Sequence, residues 1–89
     1  MCDKIKVTVV GSGYVGLSLA VLLAQNNDVV VLDIDPVRVD KVNRRESTIA
    51  DADIEAFFKE RELSLSATLD ASEAYANADF VVVAAAYYL

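Results

Sequence analysis

The sequence predicts an α/β protein built on a doubly wound parallel sheet, and three observations lead to this prediction. Runs of β-branched and apolar residues alternate with segments of helical composition along the 89 residues. Two of these runs, 29–32 and 80–84, are wholly apolar, which is typical of parallel strands covered on both faces. A glycine-rich turn separates the first strand from the first helix. Strands that alternate with helices form parallel sheets with right-handed crossovers.

The first strand and the first helix have the clearest sequence signals. A β-branched run over 5–10 predicts the strand, and Gly11 ends it. Residues 14–25 contain no proline and are dense in Leu, Ala and Val, which predicts a helix. Asn26 and Asn27 predict the end of this helix, because asparagine tolerates the left-handed backbone conformation.

The middle of the chain predicts one strand and two helices. Residues 29–32 form the second strand, and Pro36 stands where a short helix begins. Residues 46–50 are expected to form a loop, after which Asp51 caps the third helix. Three apolar residues of this helix share one face and are expected in the core: Ile54, Phe57 and Phe58.

The last third of the chain predicts a strand, a small helix and a final strand. Residues 63–68 alternate as a strand does, and Asp70 with Glu73 forms a capping-box pattern before a helix over 71–78. With a fourth strand over 80–84, the elements fit most of the first half of a doubly wound sheet, in the spatial order 3-2-1-4. Ligands of such sheets bind beyond the carboxyl ends of the strands, at the switch between strands 1 and 4.

Composition limits the classes of function. The chain carries 8 Lys and Arg against 14 Asp and Glu, and this net charge of −6 argues against a nucleic acid partner. No apolar run approaches the roughly 18 residues that span a bilayer, so no membrane partner is expected. The chain has no histidine and one cysteine, Cys2, which excludes an internal disulfide and a zinc site on those ligands. A single cysteine favours a reducing, cytoplasmic location.

The residues expected to bind a ligand form a G-x-G-x-x-G motif: Gly11, Ser12, Gly13, Tyr14, Val15 and Gly16. Gly11 permits the tight turn, Gly13 lets a pyrophosphate approach the backbone, and Gly16 lets the helix pack close to the first strand. The start of the helix offers free N–H groups and a partial positive charge, so an acidic protein can still hold an anion there. Tyr14 is expected beside the pyrophosphate or in a packing role.

Asp33 strengthens the prediction of a dinucleotide site, for which a glycine motif alone is weak evidence. It follows the second strand, seventeen residues after Gly16, where a carboxylate accepts hydrogen bonds from the adenosine ribose of a dinucleotide. The same carboxylate repels a 2′-phosphate, which favours NAD over NADP. Arg38 lies just beyond this strand, where it can stack on adenine or bind a phosphate. The alternative is a glycine turn with an acidic helix cap that binds no nucleotide, but the register of motif and acid favours a Rossmann-like NAD-binding domain.

Other candidate residues are expected to have simpler roles. Cys2 precedes the first strand, on the edge of the sheet opposite the ligand, and is expected to be a surface or packing residue. Asp35 and Asp40 are expected to be solvated or helix-capping carboxylates. Tyr87 and Tyr88 follow the fourth strand and either line the nicotinamide end of the site or fill the edge of the sheet.

Two apolar segments lead us to expect that residues 1–89 are an incomplete domain of a larger protein, without its substrate domain. The last ten residues, 80–89, are apolar and lead from a strand directly to the chain end. The first helix is apolar around nearly its whole circumference, which is typical of a helix buried on more than one side by further chain or by a partner subunit. Its apolar residues are Val15, Leu17, Leu19, Val21, Leu22 and Leu23.

Two segments resemble a known family. Residues 9–20 (VVGSGYVGLSLA) and 31–36 (VLDIDP) are similar to the start of the UDP-glucose 6-dehydrogenases, in the UDP-glucose/GDP-mannose dehydrogenase family. Residues 53–58, 65–70 and 78–83 continue the resemblance. The Gly-Tyr-Val-Gly-Leu run is specific to this group of nucleotide-sugar dehydrogenases.

The resemblance implies a two-step, four-electron oxidation of the primary alcohol of a UDP-sugar to a carboxylate, with two NAD. It implies cofactor contacts at Val15, Asp33 and Arg38, and a homodimer for the full-length protein. Family members place a cysteine nucleophile in a later part of the chain, so no catalytic residue is expected within residues 1–89. The sequence departs from the family after the fourth strand, where Ala-Ala-Ala-Tyr at 84–87 stands in place of Ala-Thr-Pro-Thr.

Two alternatives remain open from the sequence. One is a regulatory domain of the same fold that senses a nucleotide and performs no chemistry. The other is an inert fragment that cannot fold, since its fourth strand would be an exposed apolar edge.

Overall fold

Eight elements follow one another within residues 5–48 and 51–84, which are the residues that the computed structural model describes. The strands are β1 (Lys6–Val10), β2 (Asp28–Leu32), β3 (Leu65–Thr68) and β4 (Phe80–Val83). The helices are α1 (Tyr14–Leu23), α2 (Pro36–Asn43), α3 (Ala52–Glu60) and α4 (Ala71–Tyr75). The predicted order of elements is confirmed, and the differences are confined to the ends of elements.

Helix α1 ends earlier than predicted, and asparagine ends it by a different mechanism from the one expected. The backbone and side-chain N–H groups of Asn27 both donate to the carbonyl of Leu23, at 2.9 and 3.0 Å. These bonds satisfy a carbonyl that has no partner within the helix. The left-handed conformation expected after α1 occurs instead after α2, at Arg45, and after α4, at Asn77, each with a φ of 61°.

The described residues form a four-stranded sheet in which every pairing is parallel, in the order β3-β2-β1-β4. The predicted order 3-2-1-4 is therefore confirmed. The strands end level with one another: the N–H of Gly11 donates to Leu32 O at 2.8 Å, and the N–H of Ala84 donates to Val10 O at 2.8 Å. Residues that follow β1, β2 and β4 consequently lie side by side on one edge of the sheet, which is where the candidate site is found.

The core lies between the sheet and the helices α1, α2 and α3. From the sheet it takes alternate residues of β1, β2 and β3, and from the helices it takes one apolar face each. Its members are Val7, Val9, Val29, Val31, Leu65 and Ala67 from the strands, Leu17, Ala20, Val21 and Ala24 around α1, and Val42, Ile54 and Phe58 from the other two helices. Phe57 packs partly buried against this core, as its spacing predicted.

Helix α4 covers the opposite face of the sheet. Thr8 points away from its neighbours Val7 and Val9, because side chains alternate along a strand. Its buried hydroxyl donates to the carbonyl of Ala74 in α4. This bond satisfies a polar group in the interior of the sheet and attaches α4 to it.

The outer edge of β3 is closed by one side chain. Asn43, the last residue of α2, accepts from Ala67 N–H at 2.9 Å and donates to Ala67 O at 3.0 Å. Its amide therefore takes the place of a fifth strand at this position, which protects an edge that would otherwise expose unpaired backbone groups.

Two apolar surfaces are less covered than the sequence suggested. In α1, Leu17 and Val21 are buried, while Val15 and Leu22 are exposed. In β4, Phe80 and most of its neighbours are exposed, in contrast to the buried valines of β2. Within the described residues, the expectation of burial on both faces is wrong for β4 and holds only in part for β2, in which Val29 and Val31 are buried but Val30 and Leu32 on the other face are half-buried. β4 is exposed because it lies at the edge of the sheet that the described helices leave largely uncovered.

Candidate functional site

Gly11 makes the turn from β1 to α1. Its φ is 100°, in the region that favours glycine, since residues with a side chain rarely adopt it. Its N–H donates to Leu32 O at 2.8 Å, which attaches the turn to the end of β2. The role predicted for this glycine is confirmed.

Gly16 brings the first turn of α1 against this loop. A Cβ atom on Gly16 would lie 2.1 Å from the carbonyl oxygen of Gly11 and 2.9 Å from its carbonyl carbon. Only a residue without a side chain fits there, because the atoms that it would meet belong to the backbone. The close packing predicted for this glycine is confirmed, and it fixes where the helix begins.

Gly13 leaves open space at the start of α1. It is the N-cap residue, with a φ of −73°, and a Cβ atom there would meet no heavy atom of the described residues within 4 Å. Its backbone conformation therefore does not require glycine. The open space is what a ligand needs in order to reach the backbone, which is the role that the sequence predicted.

The start of α1 differs from the starts of the other helices in the described residues. Helices α2, α3 and α4 each begin at an aspartate whose side chain accepts backbone N–H groups: Asp35, Asp51 and Asp70. At α1 no side chain of the described residues caps the helix, and its first turn contains no acidic residue. The first helical hydrogen bond runs from Leu17 N–H to Gly13 O, so the N–H groups of residues 14–16 have no partner within the helix. They form an uncapped, electropositive helix start that suits an anion.

The carboxylate of Asp33 is held in place from both sides. Its Oδ2 accepts from the backbone N–H of Ser12 at 2.9 Å and from the Ser12 hydroxyl at 2.6 Å. Its Oδ1 accepts from the N–H of Asp35 at 2.9 Å. The side chain is 8% exposed and lies against the glycine loop, so the acid after β2 and the turn after β1 form one unit.

These contacts keep Asp33 charged. Burial raises the pKa of the Asp33 carboxyl, whereas the hydrogen bond from the Ser12 hydroxyl and those from the N–H groups of Asp35 and Ser12 lower it. The positive charge of Arg38 lowers the pKa of this carboxyl as well. Together the lowering effects are larger, and the pKa of Asp33 lies below its ordinary value. At neutral pH the site therefore presents an ionised acceptor to a ligand.

Arg38 lies beside two carboxylates without a hydrogen bond to either. Its Nη1 is 4.0 Å from Asp33 Oδ2, and its Nε is 3.9 Å from Asp35 Oδ2. The side chain is 45% exposed. The guanidinium is thus anchored loosely at the mouth of the site and keeps its planar face and its donors available for a ligand.

Tyr14 and Val15, the first two residues of α1, have exposed side chains. Tyr14 lines one end of a shallow apolar pocket between α1 and α3, together with Leu22, Ile54 and Phe57. Both side chains therefore lie on the solvent-exposed side of the start of α1.

Residues 5–86 match the model of the UDP-glucose/GDP-mannose dehydrogenase family, NAD binding domain. The match covers nearly the whole chain. The chain belongs to this family. The predicted cofactor, NAD, is the one for which the domain is named, and the resemblance found in the glycine motif is confirmed.

Curated relatives and solved structures of this family agree with the match. The chain is 46% identical over 79 residues to a UDP-glucose 6-dehydrogenase of Streptococcus pneumoniae, and this match covers 89% of this chain and 20% of the relative. It is 47% identical over 81 residues to a UDP-glucose 6-dehydrogenase of Campylobacter jejuni, which covers 89% of this chain and 21% of that relative. The chain therefore spans about a fifth of the length of these curated relatives.

Two solved structures share the fold. A GDP-mannose dehydrogenase from Pseudomonas aeruginosa, in a ternary complex, superposes with a TM-score of 0.80 at 26% identity over 90% of this chain and 19% of that chain. A UDP-glucose dehydrogenase from the archaeon Pyrobaculum islandicum gives a TM-score of 0.78 at 28% identity over 92% of this chain and 20% of that chain. These similarities confirm the Rossmann-like fold class of the family.

Two carboxylates near the motif have the simple roles that the sequence predicted. Asp35 caps α2 by accepting from Val37 N–H at 2.9 Å, and Asp40 pairs with Arg44 at 2.8 Å on the surface. Cys2, Tyr87 and Tyr88 lie outside the described residues.

Sequence reasoning missed the hydrogen bonds that connect Ser12 to its neighbours. Ser12 was predicted as a cofactor-binding residue, but its hydroxyl and N–H donate to Asp33, and its carbonyl accepts from the Thr48 hydroxyl at 2.6 Å. One signal pointed to the first of these contacts: Ser12 and Asp33 each follow one of two neighbouring strands that end level. Nothing in the sequence indicated the contact with Thr48, thirty-six residues away.

The part of the chain that the structure describes contains neither a metal-binding cluster nor a membrane-spanning helix. Within residues 5–48 and 51–84, no group of three or more Cys, Asp or Glu residues has an arrangement that holds a metal ion. Across the same residues, the structure contains no helix of the length and apolar character that crossing a membrane requires.

Proposed function

We propose that this chain is the NAD-binding part of an enzyme that oxidises UDP-glucose to UDP-glucuronate with two NAD. One observation carries the proposal: the uncapped start of α1, the open space at Gly13 and the ionised carboxylate of Asp33 lie together at one edge of the sheet. The choice of UDP-glucose is supported by the two curated relatives at 46% and 47% identity, which are both named UDP-glucose 6-dehydrogenases.

Each part of the site has its own role in binding. The loop from Gly11 to Gly16 holds the pyrophosphate against the free N–H groups of α1, and Asp33 accepts a hydrogen bond from the adenosine ribose. Arg38 lies over the adenosine end of the cofactor, and Tyr14 and Val15 flank the pyrophosphate. NAD, when bound, supplies the hydride acceptor for oxidation of an alcohol.

The chemistry on the sugar belongs to residues beyond this chain. We propose a cysteine nucleophile and a substrate domain in the rest of a protein about five times as long, by analogy with the length of the relatives. For that protein we propose a homodimer in the cytoplasm, with a UDP-sugar as substrate. We propose no nucleic acid partner, because the chain is acidic and phosphate binding of that kind needs a basic surface.

Binding of NAD is tested by titration calorimetry of the full chain, with Asp33→Ala compared with the native sequence. Loss of charge-assisted hydrogen bonds weakens NAD binding by about 1–3 kcal/mol. Asp28→Ala is the matched control, since Asp28 is an exposed carboxylate at the opposite end of β2. Equal NAD affinity in Asp33→Ala and the control would refute the assignment of the ribose contact.

The activity is tested separately on the full-length protein. UDP-glucose and GDP-mannose are supplied in turn with NAD, and NADH is followed by its absorbance. We expect about two NADH for each UDP-glucuronate formed, because a primary alcohol reaches a carboxylate in two hydride transfers. A protein that binds NAD but oxidises neither sugar nucleotide would support the regulatory sensing domain instead.

A further inference from the structure

Ser12 is the residue of the glycine loop whose polar groups face into the protein. It is 1% exposed. Its two hydrogen-bond donors, the backbone N–H and the hydroxyl, both point at the same carboxylate oxygen, Oδ2 of Asp33. Ser12 therefore has no donor left for a cofactor, although it stands between the two glycines that flank the pyrophosphate site.

The hydrogen bonds of Asp33 determine which of its oxygens is available. Each carboxylate oxygen has about two acceptor positions. Ser12 occupies both positions of Oδ2. Oδ1 accepts one bond, from Asp35 N–H, and Arg38 is too distant from the carboxylate to donate. One acceptor position, on Oδ1, remains for a ligand.

We propose that Ser12 is a positioning residue for the cofactor, which holds Oδ2 of Asp33 so that Oδ1 accepts a single hydroxyl of the adenosine ribose. This inference rests on the proposed function, in which Asp33 contacts that ribose. The two bonds also join the loop after β1 to the end of β2, so the pyrophosphate loop and the ribose acceptor keep a fixed separation. Such preorganisation favours binding, because less freedom is lost when the ligand arrives.

The first test replaces Ser12 by alanine and measures NAD affinity by calorimetry in the full chain. Loss of the hydroxyl removes a charge-assisted hydrogen bond, and we expect NAD affinity to fall roughly tenfold. Ser64→Ala is the matched control: the Ser64 hydroxyl donates to Asp28 Oδ1 at 2.5 Å, a serine–aspartate bond between the same kinds of elements at the opposite edge of the sheet. Circular dichroism confirms that both variants are folded. Unchanged affinity in Ser12→Ala would overturn the proposal.

A double-mutant cycle separates positioning from a general structural role. If Ser12 acts through the carboxylate, Ser12→Ala costs no more than about twofold once Asp33 has been replaced by alanine, which leaves no side-chain acceptor. A cost equal to that in the native background overturns the positioning role. If Asp33→Ala alone leaves NAD affinity unchanged, the ribose contact of the proposed function fails. If Asp33→Ala weakens binding and Ser12→Ala does not, only the positioning role fails.

Carboxyl carbon chemical shifts supply a spectroscopic test of the same contact. The hydrogen bond from the Ser12 hydroxyl is the largest of the effects that lower the pKa of Asp33, so the pKa of Asp33 rises in Ser12→Ala. A variant that only loosened the fold would move the resonances of many carboxyls together. An unchanged titration midpoint for Asp33 would contradict the proposal.

The last measurement needs no variant of the protein. NAD analogues that lack either the 2′- or the 3′-hydroxyl of the adenosine ribose are titrated into the native chain. Because one acceptor position is open, one analogue loses affinity by roughly tenfold, and the other stays within about threefold of NAD. Equal losses for the two analogues would show that Asp33 accepts both hydroxyls, which requires Ser12 to release Oδ2 and overturns the proposal.

Discussion

Substitution of the two glycines at the start of α1 separates the stability of the loop from its binding role. Gly16→Ala places a Cβ atom 2.1 Å from Gly11 O, whereas carbon–oxygen contacts in proteins settle near about 3.3 Å. The helix must therefore withdraw by about 1 Å. Gly13→Ala places its Cβ in open space, at a φ of −73° that alanine adopts without strain. The two variants add the same methyl group three residues apart.

The two substitutions are expected to differ in their effect on the free energy of unfolding. Overpacking against backbone at Gly16 costs about 1–3 kcal/mol, and the higher helix propensity of alanine returns only about 0.8–1 kcal/mol of this. Because the overlap is with backbone atoms, which cannot move aside as a flexible side chain can, the cost is about 3 kcal/mol. We therefore expect a net loss of about 2 kcal/mol and a fall in Tm of about 8–16 °C. At Gly13, a poorer N-cap and a less flexible unfolded chain offset each other, so the free energy of unfolding stays within about 0.5 kcal/mol.

Thermal and urea unfolding, followed by circular dichroism, measure the stability of each variant, and calorimetry measures its NAD affinity. Gly13→Ala is expected to retain its stability and to lose NAD affinity by roughly tenfold or more, because the methyl group occupies the space that a pyrophosphate needs. Native affinity in Gly13→Ala would refute the placement of the pyrophosphate. A native Tm in Gly16→Ala would refute the close contact between α1 and the turn.

The remaining predictions concern the acid, the arginine and the sheet edge. The pKa of Asp33 is lowered from 3.8, so its ionised carboxylate contributes fully to stability above pH 3.8, and this contribution is lost as the pH falls through the lower pKa of the folded state. Urea unfolding at a series of pH values should therefore show the stabilities of the native protein and of Asp33→Asn converging at the acidic end. Arg38 lies between the carboxylates of Asp33 and Asp35, and we expect its guanidinium to stack on adenine. Arg38→Ala should then weaken NAD binding about threefold at low and at high salt alike, because stacking is not screened by salt. A loss of affinity confined to low salt would indicate a phosphate contact instead. Asn43→Ala removes both hydrogen bonds to Ala67 and should lower the free energy of unfolding by about 1–2 kcal/mol; unchanged urea stability would contradict its role at the edge of β3.

Local sequence patterns predicted the elements and their order because the signals for them are local. Pro36, Asp51 and Asp70 stand next to the helices that they begin, and each does so in the structure. The parallel arrangement follows from alternation of strands and helices, which leaves few topologies. The ends of helices were less predictable: α4 stops at Tyr75 rather than at Ala78, since its last turns depend on packing rather than on composition.

Burial could not be predicted from apolar composition alone. The valines of β2 and the residues of β4 form similar apolar runs, yet Val31 is fully buried and Val83 is exposed. The difference is one of position: β2 lies between two strands and beneath helices, whereas β4 lies at the edge of the sheet that the described helices leave largely uncovered. β3 is an edge strand as well, but α2 packs on it and its apolar residues are buried. The same limit applies to α1, in which composition does not distinguish the buried Leu17 from the exposed Leu22.

The electrostatics of the site explain how a chain of net charge −6 can bind an anion. At physiological salt, charges more than about 8 Å apart are largely screened, so the surface acids elsewhere have little effect on the phosphates. Asp33 is the acid that lies against the glycine loop, and its negative charge is already compensated by two donors from Ser12, one from Asp35 and the nearby guanidinium of Arg38. The uncapped N–H groups of α1 have no such compensation. The start of α1 therefore offers a local partial positive charge to an anion, even though the chain as a whole is acidic.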